Sequence, residues 1–303
     1  AEGKIGDGTT ISVTFSNAKI EYGDLKIEKN VTGNAASLTD KFGFKIKLQK
    51  KNTNGSFEPY TAFDYGIPEG LTPVESVPGT YTAEITAGSS LLIKHLVAGS
   101  TYEITEETTG STATGYVLAN SSKASGSINE NTINIASFTN RKNLYGALKL
   151  MKITAGNDAD YKGWFAFKIQ VKDKDGKALS GQYDIVEYDE NNNIVSNTNS
   201  TIVFDDNGIA GQYIGKDVDS SSYNVTDTQG YNVVLTKNHP VVIYGLPNDA
   251  EYTIEEESIS SYTSTVTTGT SAGTIAGYVS ESDKSDITKY TMTANNPVAV
   301  TFT

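Results

Sequence analysis

Two short strand-like segments each carry a lysine where a core residue is expected. In LKIEK at 25–29 and LKLMK at 148–152, alternation with period two places the apolar residues and the final lysine on one face. Lys29 and Lys152 are therefore predicted to point into the protein interior. A buried amine loses its hydration, which lowers its pKa and favours the neutral, nucleophilic form.

Two other segments direct a carboxylic acid toward the same interior. The pattern Tyr-x-Ile-x-Glu occurs twice, ending at Glu106 and at Glu256, and period two places the three named residues of each pattern on one face. A register slip of one residue would turn Glu107 or Glu255 inward instead. Because burial raises the pKa of a carboxyl, a buried Lys–Glu pair can exist as a neutral amine and a neutral acid.

An asparagine ends a third kind of strand, at Asn17 in VTFSN and at Asn140 in ASFTN. Phe138 shares the inward register of Asn140, whereas Ile133 and Ile135 fall on the other register and predict a β-bulge upstream. A neutral amine beside the asparagine can attack its carbonyl carbon. A protonated glutamate would hydrogen-bond the developing oxyanion and pass a proton to the leaving ammonia. The three residue types together predict an amide crosslink between two side chains.

The order of these residues recurs along the chain. GKIGDGTTISVTFSN at 3–17 matches GSINENTINIASFTN at 126–140 without gaps, and the segments that follow end at Lys29 and Lys152, so the offset is 123 residues in both cases. Taken singly, strand lysines often reach solvent, such glutamates often face water, and closing asparagines often begin turns. Only their joint recurrence supports the crosslink.

The elements that must position these residues are β-strands. Period-two segments rich in β-branched and aromatic residues occur at 44–49, 81–87, 102–107, 165–171 and 252–257. Turn-forming clusters such as NTNGS and DKDGK lie between them, and no segment has a long helical stripe. The sequence predicts an all-β protein built from antiparallel sandwiches.

The 303 residues suit two domains, predicted at 23–143 and 144–303. Residues 1–22 are predicted to be a closing strand with a linker. The strand either ends a preceding repeat or acts as a donor that offers Asn17 to Lys152 of another copy. We favour the first alternative, because the second unit has its own closing strand in VAVTFT.

Composition excludes several classes of protein and site. There is no cysteine, so disulfides and thiolate chemistry are excluded. The formal charge of −12 argues against nucleic acid as a partner, and no apolar run is long enough for membrane insertion. Neither a metal site nor a cofactor is predicted, and His95 and His239 are interpreted as surface or strand-edge residues. The acidic segments at 189–193 and 205–208 are interpreted as hairpin turns in preference to calcium loops.

The ordered motifs LKIEK, FGFKIKL, YEITEE and SFTNRK resemble the Ig-like, Cna B-type domains of Gram-positive surface proteins, including two-domain streptococcal major pilins of the T-antigen type. In that family a lysine and an asparagine form a spontaneous isopeptide bond promoted by a glutamate. The resemblance implies a crosslink between Lys29 and Asn140 with Glu106 as catalyst, and reaction of Lys152 with Glu256 assisting. The second unit lacks its closing asparagine, and neither a sortase sorting signal nor a pilin-motif lysine is recognised.

The resemblance implies tandem Ig-like (Cna B-type) domains arranged end to end, in a structural pilin-like or adhesin-stalk segment on the extracellular bacterial surface, attached to the cell wall or to a pilus. It implies no enzyme activity beyond the single-turnover crosslink, and neighbouring repeats or subunits of the same protein as partners. The alternative is an adhesin module that binds a host surface protein or glycan through loops around 186–232, with candidate residues Tyr183, Tyr188, Tyr213 and Tyr223. A surface-array or matrix protein would share the same crosslink chemistry.

Overall fold

The computed structural model describes residues 19–107, 114–156, 163–195, 200–219, 229–259, 263–291 and 296–303. They group into two compact units, the first containing most described residues up to Asn140 and the second containing Arg141–Thr303 with residues 32–36 and 115–117. Strands and turns make up nearly all of both units. No helix in these described ranges has the length and apolar character required to cross a membrane.

The first unit consists of two sheets. Its strands are β1 (Tyr22–Thr32), β2 (Lys41–Lys51), β3 (Phe57–Pro59), β4 (Thr72–Pro73), β5 (Thr80–Thr86), β6 (Ser90–Val97), β7 (Thr101–Glu107), β8 (Val117–Ser122), β9 (Ser125–Ser127) and β10 (Ile133–Arg141). One sheet has the order β6-β1-β10-β8, and the other has the order β4-β5-β2-β7-β9 with β3 paired to β2. The first and last strands of the unit are therefore neighbours.

The second unit repeats this plan in a larger form. Its strands are β11 (Leu144–Lys152), β12 (Trp164–Lys172), β13 (Gly181–Glu187), β14 (Ser200–Phe204), β15 (Tyr213–Ile214), β16 (Val233–Thr236), β17 (Val241–Pro247), β18 (Glu251–Glu256), β19 (Val266–Thr268), β20 (Ala272–Thr274), β21 (Val279–Ser280) and β22 (Val298–Phe302), with one 3₁₀ helix at Ile287–Lys289. The sheet orders are β14-β13-β17-β11-β22-β19, with β21 paired to β11, and β15-β16-β12-β18-β20. Here the first and last strands, β11 and β22, pair in parallel.

The prediction of an all-β fold of tandem sandwiches is confirmed. The five period-two segments lie in β2, β5, β7, β12 and β18. In β2 the inward register is filled by large apolar side chains, and the intervening residues are polar or glycine. Phe44 of β2 makes an edge-to-face contact with Phe138 of β10, with ring centroids 5.2 Å apart. The core of the unit therefore lies between its two sheets, as expected when each strand buries one face.

The bulge predicted upstream of Phe138 is wrong. Burial in β10 alternates without interruption from Asn134 to Asn140, so that Asn134 and Ala136 occupy the inward positions. Ile133 and Ile135 face outward and are 54% and 40% exposed. A polar residue takes the inward position at Asn134 because its side chain donates to the backbone oxygen of Asp24 at 3.0 Å.

Substitution Leu48→Ala should destabilise the first unit. Leu48 lies on the inward face of β2 and is 1% exposed, so truncation leaves a cavity and should lower the free energy of unfolding by about 2–5 kcal/mol. The measurement is the thermal unfolding transition of the first unit. Lys47→Ala, on the exposed face of the same strand, is the control and should change the free energy by no more than about 0.5 kcal/mol. Equal effects of the two substitutions would contradict the assigned register.

Candidate functional site

Three polar side chains meet in the interior of the first unit. Lys29 lies on β1 and Asn140 on β10, which are neighbours in one sheet, whereas Glu106 lies on β7 in the other sheet. Cross-strand pairing of Glu106 with Phe44 sets the register of β7. Glu106 therefore continues the buried row of Tyr102 and Ile104, and it is Glu106 that contacts the lysine.

The carboxyl group of Glu106 contacts both other groups. Its Oε2 lies 3.2 Å from Lys29 Nζ, and its Oε1 accepts a short hydrogen bond from Asn140 Nδ2. The ring of Phe42 lies below the amine, with Nζ 4.0 Å from the ring centroid. Lys29 is 0% exposed and Asn140 6%, and the Glu106 side chain is 7% exposed. The site is thus a closed, nearly dry arrangement of an amine, an acid and a carboxamide.

Burial dominates the electrostatics of the amine. Removal of water from around Lys29 lowers its pKa, although the attraction of Glu106 acts in the opposite direction. The lowered pKa increases the fraction of neutral amine at a given pH, and a neutral amine carries the lone pair needed for nucleophilic attack. The sequence did not identify Phe42 as part of this site, although an inward aromatic residue at the start of β2 was a visible signal.

The second unit contains two of the three groups. Lys152 Nζ lies 2.7 Å from Glu256 Oε1, and the side chains are 2% and 4% exposed. The ring of Phe165 lies 4.4 Å from the amine, corresponding to Phe42 in the first unit. The other carboxylate oxygen of Glu256 accepts a short hydrogen bond from Ser264 Oγ. Ser264 was not found from the sequence, because it lies in a loop that has no periodic pattern.

The backbone near Thr303 defines where a third group would lie. Thr265 and Thr303 exchange two backbone hydrogen bonds, of 3.0 and 2.8 Å. In an antiparallel ladder a residue following Thr303 would lie opposite Ser264, and on the same face as Phe302. That position corresponds to Asn140 of the first unit. Each lies two residues after an inward phenylalanine, Phe302 or Phe138.

Other candidate residues lie elsewhere. Asn17 falls outside the described residues. Glu255 is exposed on the outer face of β18, and Glu107 follows Glu106 on the outward register of β7. His95 lies on β6 and stacks on Tyr22, with ring centroids 3.7 Å apart.

His239 does not behave as a simple edge residue, because its Nδ1 lies 3.1 Å from Glu187 Oε1. Glu187 is 2% exposed and also accepts hydrogen bonds from the Tyr213 hydroxyl at 3.0 Å and from the backbone N–H of Lys216 at 2.9 Å. Burial and the nearby carboxylate raise the pKa of Tyr213. This buried acid was missed in the sequence, although it shares the inward register of Ile185. Its partners provide the hydrogen bonds that a buried carboxylate requires.

The two acidic segments behave as turns. Asp189 Oδ1 accepts the backbone N–H groups of Asn191 and Asn193, both at 2.8 Å. Asp205 Oδ1 accepts those of Asn207 and Ile209, also at 2.8 Å. Hydrogen bonding to the charged form lowers the pKa of both carboxyl groups. Because the carboxylates cap their own turns, the hairpin interpretation fits this geometry.

Solved structures similar to this chain include pilus proteins. A major pilin from Streptococcus pyogenes is 13% identical over 94% of this chain and 98% of that chain, with a TM-score of 0.36. The T-13 major pilin from the same species is 13% identical over 93% and 95%, with a TM-score of 0.30. The pilus-presented adhesin Spy0125 (Cpa) is 22% identical over 40% of this chain, with a TM-score of 0.30. The chain spans about a quarter of the length of that adhesin structure, 27%.

No curated protein matches the chain. One family model, described as a domain of unknown function (DUF7601), matches residues 23–142 and again residues 146–296. The two matched segments together cover most of the sequence, and each corresponds closely to one structural unit. This chain therefore belongs to the DUF7601 family.

Proposed function

We propose that this protein is a structural segment of a bacterial cell-surface protein, with domains at 23–143 and 144–303, whose first domain is closed by an isopeptide bond between Lys29 and Asn140. The observation that carries the proposal is the position of the Glu106 carboxyl group, which contacts both the Lys29 amine and the Asn140 amide nitrogen. The Glu106 carboxyl group can carry a proton, and it lies between the attacking Lys29 amine and the Asn140 amide nitrogen that must leave.

The reaction follows from these contacts. Lys29 Nζ attacks Asn140 Cγ, and the new C–N bond gives a tetrahedral intermediate. Glu106 Oε2 lies beside the amine that must lose a proton, and Oε1 lies beside the nitrogen that must gain one. Glu106 therefore shuttles a proton from the attacking amine to Nδ2, which leaves as ammonia. The products are one secondary amide and one ammonia, and Glu106 returns to its starting protonation state.

The crosslink would join the first and last strands of the domain, β1 and β10. A pulling force applied through the chain enters and leaves through these strands, so that tension would pass through covalent bonds. By analogy with a disulfide that closes a loop of about 100 residues, the crosslink contributes about 5 kcal/mol through the unfolded state. An amide is not reducible, which suits a chain that contains no cysteine.

These properties support an extracellular role as a pilin-like or adhesin-stalk spacer, attached to the cell wall or to a pilus, with neighbouring repeats or subunits as partners. In the second domain Lys152 and Glu256 would react in the same way with an asparagine. An asparagine placed directly after Thr303 would lie in position for this reaction, and in the donor-strand alternative Asn17 of another copy would provide the carboxamide.

The alternative function, ligand binding through loops of the second domain, has less support. The Tyr188 and Tyr244 hydroxyls are hydrogen-bonded to each other at 2.6 Å, and Tyr213 donates to Glu187. Tyr183 packs edge-to-face against Phe204. These tyrosines are engaged within the domain, and Tyr223 lies outside the described residues.

Intact-mass spectrometry tests the first crosslink. The purified chain should be lighter than its calculated mass by one ammonia, because Asn140 loses its amide nitrogen. Lys29→Ala, Glu106→Ala and Asn140→Ala should each restore the full mass. Lys26→Ala, on the same strand but paired with Glu28, is the control and should keep the loss. An unchanged mass in the parent chain would refute the proposal for the first domain.

Extension of the chain tests the second domain. Addition of Asn-Arg-Lys after Thr303, which copies the residues at 140–142, should cause loss of a second ammonia. The loss should disappear with Lys152→Ala or when the added asparagine is replaced by glutamine. Covalent oligomers of the unextended chain that vanish with Asn17→Ala would instead support the donor-strand alternative. A single ammonia lost from the extended chain would contradict the assignment of Lys152 and Glu256.

The pH dependence of stability should reveal the unreacted amine. In Asn140→Ala the Lys29 amine stays free, and its folded-state pKa is lowered by burial. The unfolded chain then binds more protons between that lowered pKa and the ordinary lysine value of about 10.4, so this variant should gain stability as the pH rises. In the crosslinked chain the Lys29 nitrogen is part of an amide and does not titrate. The difference in Tm between the two should narrow as the pH rises from the lowered pKa of Lys29 toward the ordinary lysine value.

The double variant Lys29→Met with Asn140→Ala provides the control for this titration. It carries no amine at the site, so its difference in Tm from the crosslinked chain should stay constant over the same pH range. If the difference in Tm between Asn140→Ala and the crosslinked chain widened as the pH rose, it would contradict the lowered pKa of Lys29.

A further inference from the structure

A β-bulge in the first unit turns one histidine toward solvent. Strands β1 and β6 change register between Gly23 and Leu25. As a result, the single residue Asp24 lies opposite two residues of β6, Lys94 and His95. His95 has a φ of 60°, and its backbone N–H donates to Asp24 Oδ1 at 2.9 Å. A positive φ is uncommon for a residue with a side chain and marks a local strain.

The second unit contains the same bulge with a different residue. Strands β11 and β17 change register between Gly146 and Ala147, and the extra residue is Gly245, with a φ of 77°. Glycine adopts such a φ without steric cost. The first unit thus keeps a histidine where its structural counterpart uses the unstrained residue, which indicates a role for the imidazole ring beyond the fold.

The bulge builds an aromatic stack. The His95 ring lies parallel to Tyr22, with centroids 3.7 Å apart and an interplanar angle of 14°. Tyr65 meets His95 edge-on, with centroids 5.1 Å apart. The imidazole Nε2 lies 3.4 Å from Asp64 Oδ2. The stack ends in Tyr65, which is 84% exposed.

Beside this stack lies a cavity of about 350 Å³, formed by residues 63–69 with Leu92, Lys94 and His95. That volume falls in the range of small-molecule sites, about 300–1,000 Å³. Its apolar surface comes from Phe63, Ile67 and Leu92. Its charged lining residues have both signs, since Asp64 and Glu69 line the cavity together with Lys94.

The loop that forms the cavity is anchored in the core. Tyr60, at its start, is 3% exposed, and its hydroxyl accepts the backbone N–H of Val97 at 3.2 Å. Leu71, at its end, is 7% exposed. The Phe63 ring contacts the rings of Tyr60 and Tyr81, with centroids 5.0 and 5.6 Å apart. An anchored loop presents its groups in a fixed geometry, as a binding site requires.

We propose that this cavity binds a neutral glycan, with one pyranose ring stacked on Tyr65 and its hydroxyls hydrogen-bonded to Asp64, Glu69 and Lys94. A pyranose has an apolar C–H face, which suits an aromatic ring, and hydroxyls that both donate and accept hydrogen bonds. The carboxylates accept and the ammonium donates. The same Lys94 would repel a basic peptide, which a purely acidic aromatic surface would attract. This site lies outside the Lys29–Glu106–Asn140 arrangement and goes beyond the proposed structural function.

The test is binding of the full chain to an array of neutral oligosaccharides with terminal glucose, galactose, mannose or N-acetylglucosamine, followed by calorimetric titration of the best ligand. Tyr65→Ala and Asp64→Asn should each raise the Kd by about tenfold or more. His95→Gly should weaken binding while the Tm stays equal or rises, because glycine relieves the strain. Phe57→Ala, another exposed aromatic residue of this unit, is the matched control and should leave the Kd unchanged.

Three results would overturn the proposal. The first is absence of binding to every neutral oligosaccharide. The second is binding that survives both Tyr65→Ala and His95→Gly. The third is binding only to arginine-rich or lysine-rich peptides, in a manner that salt abolishes, which would identify a basic segment as the occupant. The mass of each sample, read in parallel, reports the crosslink separately, so the outcome for the glycan is independent of the outcome for Lys29 and Asn140.

Discussion

Removal of one amine and one carboxyl group from water is the constraint on which the first unit is built. An isolated buried charge is costly, so Lys29 is accommodated only because Glu106 and the ring of Phe42 lie within contact distance. The amine comes from one sheet and the acid from the other. Their contact therefore requires β7 to lie across the core from β1, and it makes the two sheets of the sandwich interdependent.

The second unit meets the same constraint with its own partners. Lys152 and Glu256 form the pair, Phe165 provides the ring, and Ser264 occupies the carboxylate oxygen that Asn140 occupies in the first unit. A hydroxyl satisfies the hydrogen-bonding demand of the buried acid but offers the lysine no carbonyl carbon to attack. An amine, an acid and an aromatic ring thus recur in both units, whereas the group that hydrogen-bonds the other carboxylate oxygen differs between them.

The two units also differ where they face solvent. The same bulge carries Gly245 in one unit and His95 in the other, and only the histidine supports an aromatic stack beside a cavity. A bulge redirects one side chain without disturbing the strands on either side. The buried Lys29–Glu106–Asn140 arrangement and the cavity beside His95 therefore lie on opposite faces of β1 and its neighbours.

The sequence by itself determined the strands and the inward faces of Lys29 and Asn140, because period-two alternation is local and a repeat at fixed offset reinforces it. It could not decide whether Glu106 or Glu107 faces inward, because a register slip of one residue is equally compatible with the sequence. The cross-strand pairing of Glu106 with Phe44 decided it. The partners of Glu187, the hydroxyl of Ser264 and the turned ring of His95 also came only from the tertiary structure. These contacts join residues far apart in the chain through loops and bulges, which have no periodicity to read.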